Sequence, residues 1–157
     1  MTVQWLDVGF SELTLEQLYG LLQLRVDVFV VEQNCPYSEL DGKDKHPQTR
    51  HLLGVNEQGD IEAYSRVLAP DISYPQASIG RVAVTKSARG QGVANQLMQR
   101  AIAIAKHRWP EDHIQIGAQD YLRHFYQQLG FVVNSDVYLE DGIEHLDMLL
   151  MYKTKET

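Results

Sequence analysis

The 157-residue sequence has a single cysteine, Cys35. One thiol can build neither an intramolecular disulfide nor a thiolate zinc cluster, which points to a reducing, cytoplasmic setting. The six histidines contain no pair four residues apart and have no partner cysteines, so no catalytic metal is expected. Asp41-Gly42-Lys43-Asp44 lacks the ligand spacing of a calcium loop. No uninterrupted apolar run exceeds five residues, far short of the ~20 that cross a bilayer. Met1 to Trp5 shows neither a basic start nor a long apolar stretch, so no signal peptide and no membrane contact are expected. Repeats, low-complexity tracts and linkers are missing as well. One domain over residues 1–157 is expected, with a core from about residue 8 to residue 152.

Apolar residues make up 44% and charged residues 22% of the chain. These are ordinary globular values and exclude wholesale disorder. A net charge of −7 argues against a nucleic-acid partner. The charge is unevenly spread. From Ile72 to Pro110 there is no acidic residue, while Arg81, Lys86, Arg89, Arg100, Lys106 and Arg108 supply six positive charges. The remainder holds eight basic against 21 acidic groups, a net of −13. That split suits a protein that receives an anion on one segment and attracts a cation elsewhere. Arg100, Lys106 and Arg108 also read simply as the solvated face of a helix.

Hydrophobic periodicity predicts the elements. A short strand runs from Val3 to Val8. Leu15, Leu18, Leu22, Arg25 and Phe29 recur at helical spacing behind Thr14, a natural N-cap, so a helix is expected from Leu15 to about Val31. Cys35 to Thr49 is polar and turn-rich. Strands at His51–Val55 and Ile61–Leu68 flank Asn56-Glu57-Gln58-Gly59, a hairpin signal. A strand from Ser78 to Thr85 leads to a helix from Gln91 to His107, whose core face is Val93, Leu97, Ala101 and Ala105 beside Ala94, Met98 and Ile102. A strand at His113–Ala118, a short helix at Tyr121–Leu129 and a strand at Phe131–Val133 follow. Asp141-Gly142 turns the chain into a last strand, Glu144–Lys153. The order β-α-β-β-β-α-β-α-β-β predicts an α/β protein with helices packed on one mixed sheet.

Between strand 78–85 and helix 91–107 lies Lys86-Ser87-Ala88-Arg89-Gly90-Gln91-Gly92-Val93-Ala94. A helix start offers unpaired amides and the positive end of a dipole, and glycines allow close approach of a bulky anion. The turn is spelled neither as a P-loop, which closes with Gly-Lys-Ser/Thr, nor as a dinucleotide fingerprint, which wants a third glycine at Asn95.

Arg89-Gly90-Gln91-Gly92-Val93-Ala94 resembles the Arg/Gln-x-x-Gly-x-Gly/Ala turn of the GNAT acyltransferases. Phe125-Tyr126-Gln127-Gln128-Leu129-Gly130-Phe131, some thirty residues on, resembles that family's Phe-Tyr-x-x-Leu-Gly-Phe helix. Arg25-Val26-Asp27-Val28-Phe29-Val30-Val31-Glu32-Gln33-Asn34-Cys35-Pro36-Tyr37, with Asp41-Gly42-Lys43-Asp44, looks like the ElaA branch. The resemblance spans nearly the whole chain. It implies the GNAT acyl-CoA N-acyltransferase fold, a central mixed sheet flanked by helices. It also implies transfer of an acetyl group from acetyl-CoA to a primary amine by direct attack.

By the resemblance, acetyl-CoA lies where strand 78–85 parts from strand 113–118. Its pyrophosphate would rest on the amides of Gln91, Gly92, Val93 and Ala94, and its pantetheine arm on the main chain of Val82 and Val84, with Ala83, Arg89 and Gly90 among the cofactor-binding residues. Gln119, where the family usually has Asn, and Phe125 would face the cofactor. Tyr126 matches the tyrosine that donates to the departing sulfur, and a phenol with an ordinary pKa near 10 would begin to ionise at alkaline pH. The amide of Val84 is a candidate oxyanion donor.

The acceptor side is expected to involve Glu32, Gln33, Asp41 and His51, with Glu32 foremost. Candidate bases are Glu32, Asp41, His51 and, from the last hairpin, Glu144 or His145, since a lysine-like amine is cationic at neutral pH. The surplus of negative charge favours a cationic acceptor such as a polyamine, an aminoglycoside-like sugar or a peptide amine. Two rivals stay open: a non-catalytic acyl-CoA-binding module, and a thioester hydrolase built on Cys35 with His46 or His51. A monomer and a homodimer are both compatible with the sequence.

Overall fold

The computed structural model describes residues 2–152. Thr14 starts the first helix through a capping box: its Oγ1 accepts from the Gln17 amide, and Gln17 Oε1 accepts from the Thr14 amide, both at 3.0 Å. Helix α1 runs over Leu15–Val26 and continues through Asp27–Glu32 in the wider π pitch. The periodicity predicts an uninterrupted α-helix to Val31. The wider pitch over Asp27–Glu32 is of the rare kind that often marks a functional site. The wider turn leaves Val28, Phe29, Glu32 and Gln33 facing the central cleft.

Among the described residues, eight strands form one sheet: β1 Gln4–Gly9, β2 Arg50–Val55, β3 Ile61–Leu68, β4 Ala77–Val84, β5 Ile114–Gln119, β6 Val132–Val133, β7 Tyr138–Glu140 and β8 Ile143–Leu150. Their order is β1-β2-β3-β4-β5-β8-β6, with β7 also on β8. Every pairing is antiparallel except β4–β5, which is parallel and reaches only from Ala77–Ile114 to Ser78–Gln115. Past that point the two strands part.

Helix α2, Val93–Arg108, packs over β3 and β4 on one face, where Leu97, Met98, Ala101 and Ala105 join one core cluster with Val67, Ile79, Ile114 and Met148. Full burial of Leu97 or Met98 is worth about 1.5–3 kcal/mol each. On the opposite face, Leu21 and Leu24 of α1 pack on Leu53, Tyr64 and Ala83. Helix α3 is Arg123–Gln128, preceded by a tight turn at Asp120–Leu122.

Two features escape the sequence pattern. Strand β7 is too short to show alternation. It forms a hairpin with β8 through Asp141 and Gly142, whose φ values of 52° and 79° mark a type I′ turn. Strand β4 also carries one extra residue: Tyr64 pairs with Ala83 but Arg66 with Gly80, leaving Arg81 and Val82 opposite Ser65. Arg81 takes φ +53°, unusual for a residue with a side chain. The last strand begins at Ile143 and ends at Leu150; the predicted end at Lys153 lies outside the described residues.

Candidate active site

The turn before α2 has the shape its glycines allow. Gly90 and Gly92 both sit at φ +80°, and a Cβ built on either would have no atom within 4 Å. Gly92 is the N-cap of α2, and no side chain caps the helix. The first amides of α2 have no partner within the helix by construction, and a bulky anion can approach them without meeting side chains. The residues fit a diphosphate.

A cleft of about 800 Å³ opens where β4 leaves β5. Its β4 wall includes Arg81, Val82, Ala83, Val84 and Arg89, and its β5 wall includes Gly117, Gln119, Tyr126 and His145. Thr85 donates its amide to Glu62 on β3 at 2.9 Å. By strand alternation the main-chain groups of Val84 point the other way, into the cleft. The Val84 carbonyl is engaged there by Arg89 Nε at 2.9 Å.

The segment after α1 crosses this cleft and is tied to three different elements. Glu32 takes a bidentate ion pair from Arg89, at 2.7 and 2.9 Å. The side-chain amides of Gln33 and Gln119 exchange hydrogen bonds at 3.2 and 3.4 Å. Cys35 donates its thiol to the Asp141 carbonyl at 3.4 Å. The Arg89 guanidinium holds the Glu32 carboxyl below the usual carboxylate range, which makes it a weaker base.

Behind the segment lies a cluster of three arginines and three carboxylates. Arg25 reaches Glu39 at 2.8 Å and Asp44 at 2.7 Å. Arg66 reaches Asp41 at 2.8 Å and Asp44 at 3.2 Å. Arg81 reaches Glu39 at 2.7 Å and Asp41 at 3.3 Å. The left-handed bulge thus aims Arg81 back at the loop. Burial would raise Asp41, but its hydrogen bonds to Arg66 and the Lys43 amide and the nearby Arg81 bring it down to about 2. Arg25 is pushed above its ordinary value, because its bonds to Glu39 and Asp44 outweigh the cost of burial. These pairs, with Lys43 Nζ on Ser73 Oγ at 2.7 Å, pin the 36–44 loop beside the cleft.

Tyr126 lies on the cleft wall between Phe125 and Phe131, with ring centroids 5.1 and 6.0 Å away. It is almost fully buried, and burial pushes its phenol well above the ordinary value. Phe125 lies behind it, packed on the α2 core.

Residues 26–151 match the family described as the acetyltransferase (GNAT) domain. The chain belongs to the GNAT acetyltransferase family. It is 45% identical to the protein ElaA of Escherichia coli over 146 residues, 93% of this chain and 95% of that one. The crystal structure of E. coli ElaA superposes with a TM-score of 0.90 at 43% identity, covering 96% of this chain and all of that one. An acyl-CoA N-acyltransferase from Pseudomonas aeruginosa matches with the same TM-score, identity and coverage.

The fold is the GNAT acyl-CoA N-acyltransferase fold, a mixed sheet flanked by helices, and the family's chemistry is acyl transfer. Of the residues the sequence singles out, the cleft brings together Val82, Ala83, Val84, Arg89, Gln119, Tyr126, Glu32, Gln33, Asp41 and His145. Gly90 to Ala94 form the turn at its β4 end. His51 is elsewhere. Its ring is wholly buried under the loop, with Nδ1 2.6 Å from Tyr64 Oη and Nε2 2.9 Å from the Asp44 carbonyl. Burial lowers its pKa, so it is a neutral spacer beneath the arginine cluster. His46 Nδ1 accepts from the Gln48 amide at 3.0 Å, so neither histidine considered as a base for Cys35 is paired with it.

Sequence reasoning misses Glu39 and Arg66 as parts of this region. Arg81 stands out in the acid-free segment as a cation available to an anion, whereas in the structure Glu39 and Asp41 hold it. Among the described residues, no group of three or more His, Cys, Asp and Glu is placed to hold a metal ion, and no helix is long and apolar enough to cross a membrane.

Proposed function

We propose that the protein transfers an acetyl group from acetyl-CoA to a primary amine by direct attack. The observation that carries this reading is the parting of β4 from β5 beside an uncapped helix start reached through two left-handed glycines. Acetyl-CoA supplies the activated thioester. The amides from Gln91 to Ala94 hold its diphosphate, with Arg89 able to turn from Glu32 toward it. The inward-facing Val84 amide is the donor for the developing oxyanion, a contact worth ~2.7–4 kcal/mol in comparable sites.

Tyr126 donates to the departing sulfur. Because burial raises the phenol, complete proton transfer to a thiolate whose acid has a pKa near 8.5 is uphill. The tyrosine acts as a hydrogen-bond donor that stabilises the thiolate and keeps its own proton. The acceptor half of the cleft offers Tyr37, Tyr74, Glu140 and Asp141, aromatic and carboxylate surfaces suited to a cationic amine.

The test is a panel of primary amines incubated with acetyl-CoA, with release of free thiol followed. Amine-dependent release and a matching mass gain of one acetyl group support the reading. Binding of CoA with no turnover on any amine favours a sensing module. Release that ignores the amine and dies in Cys35→Ser favours a hydrolase.

A further inference from the structure

Direct transfer to an ammonium-form acceptor requires a group that removes its proton, and the identity of that group rests on the transfer reaction proposed for the cleft. Four of the five candidate bases are poorly placed. Glu32 is clamped by Arg89, Asp41 by Arg66, and both are held low. His51 is sealed under the loop with both ring nitrogens engaged. Glu144 is exposed and does not line the cleft.

His145 differs on each count. It pairs with Gln119 across β5 and β8, so its side chain shares the face that carries Gln119 and Gly117. His145 lines the cleft yet is only 8% exposed. Nδ1 lies 2.8 Å from the Ile143 carbonyl, an atom that can only accept. In the neutral ring Nδ1 therefore carries the hydrogen, which leaves Nε2 the lone pair. Tyr138 stacks on the ring with centroids 6.0 Å apart and planes at 22°, which fixes its orientation. Glu140 Oε2 stands 4.0 Å from Nε2.

Tyr138 and Glu140 from β7 and Gln119 from β5 neighbour the ring, Asp141, Cys35 and Tyr37 line the same cleft, and Asp147 lies two residues on along its own strand. Asp147 is occupied by the Tyr138 hydroxyl at 2.7 Å. The cleft's arginines stand on its other side, with Arg81 over the Tyr37 ring and held by Glu39 and Asp41. Gly117 lets the tyrosine hydroxyls sit close over the strand, since a Cβ there would come within 2.9 Å of Tyr74 Oη and 3.2 Å of Tyr138 Oη.

We propose that His145 Nε2 removes the proton from the ammonium form of the acceptor, with Glu140 compensating the charge the imidazole gains. An N–H bond of the ammonium breaks and an Nε2–H bond forms. The freed nitrogen lone pair attacks the thioester carbonyl carbon, and the C–S bond breaks as the amide forms. The second proton shed by nitrogen balances the one that sulfur takes up. His145 then returns its proton to water, so ammonium and thioester give amide, thiol and one proton.

Benzylamine, cationic at pH 7, and aniline, neutral there, separate proton removal from every other role. With the full chain, His145→Gln is expected to lower kcat/KM for benzylamine by 10²–10⁴-fold, the usual contribution of a positioned base. The aniline rate should fall less than about fivefold, and CoA affinity by calorimetry should be unchanged. The benzylamine deficit should also shrink as pH rises and the amine deprotonates in solution. Glu140→Gln, at an exposed position, should give a smaller loss with the same preference for benzylamine. Equal losses on both amines, or an unaffected benzylamine rate, would overturn the assignment. A wild-type chain that acetylates neither these nor any amine of the wider panel would overturn the transfer reading itself, and this assignment with it.

Discussion

Replacing Arg25 by methionine removes the guanidinium at the centre of the buried cluster. Arg25 is fully buried and gives three hydrogen bonds to Glu39, at 2.8, 2.9 and 3.4 Å, and one to Asp44 at 2.7 Å. Breaking a buried pair from one side generally costs about 3–5 kcal/mol, because the remaining charge loses its compensation. Here neither carboxylate is left alone: Glu39 keeps Arg81 at 2.7 Å and Asp44 keeps Arg66 at 3.2 Å. The cost should therefore sit at the lower bound, about 3 kcal/mol, and methionine restores much of the lost volume. In a domain of this size that is a fall in Tm of ~6–12 °C. Urea denaturation should show a lower midpoint with an unchanged slope. The 36–44 loop also loses its anchor to α1, so the acceptor KM should rise while CoA affinity stays within twofold. A stability loss below 1 kcal/mol, or a defect confined to CoA binding, would refute the role given to this cluster.

Acid unfolding should follow the same cluster. Asp41 is lowered to about 2 and Asp44 is lowered too, so their contribution is complete above the unfolded value near 4 and drains as pH falls toward 2. Urea midpoints measured from pH 6 to 2 should fall most steeply in that window. Tyr126→Phe should cut kcat at least tenfold with CoA affinity unchanged. Because the phenol is raised by burial, the wild-type rate should show no decline from its ionisation up to pH 10; a decline centred near 10 that vanishes in the Phe variant contradicts this. Glu32→Gln should tighten CoA binding ~1.4–5-fold at low salt by releasing Arg89 from an exposed pair, and 1 M salt should erase the difference.

Much of the architecture is legible in the sequence. The row Leu97, Met98, Ala101, Ala105 announces a helix with one apolar face, and Thr14 announces where α1 begins. The glycines at 90 and 92 announce the turn, because few other residues adopt φ +80°. What stays hidden is non-local or non-repeating. Arg81 in a left-handed bulge is set by its partners Glu39 and Asp41, about forty residues away in sequence. The π pitch at Asp27–Glu32 leaves no periodic signature. Strand β7 spans three residues, too few for alternation to register. Among candidate site residues, pattern alone cannot tell a free carboxylate from a clamped one. Glu32 and Asp41 each carry the right charge, and only the structure places Arg89 and Arg66 upon them. His51 and His145 are equally plausible as letters. One is sealed beneath the loop and the other stands on the cleft wall.

The main-chain turn at Gly90–Ala94 as the seat of the cofactor's diphosphate is the claim on which the proposed chemistry depends. Titrating ¹⁵N-labelled protein with CoA while following each backbone amide tests it without altering a residue. The amides of Gln91, Gly92, Val93 and Ala94 should show the largest downfield shifts, saturating together with that of Val84. Saturable binding that leaves those amides unmoved, with the shifts gathered on another surface, would contradict it.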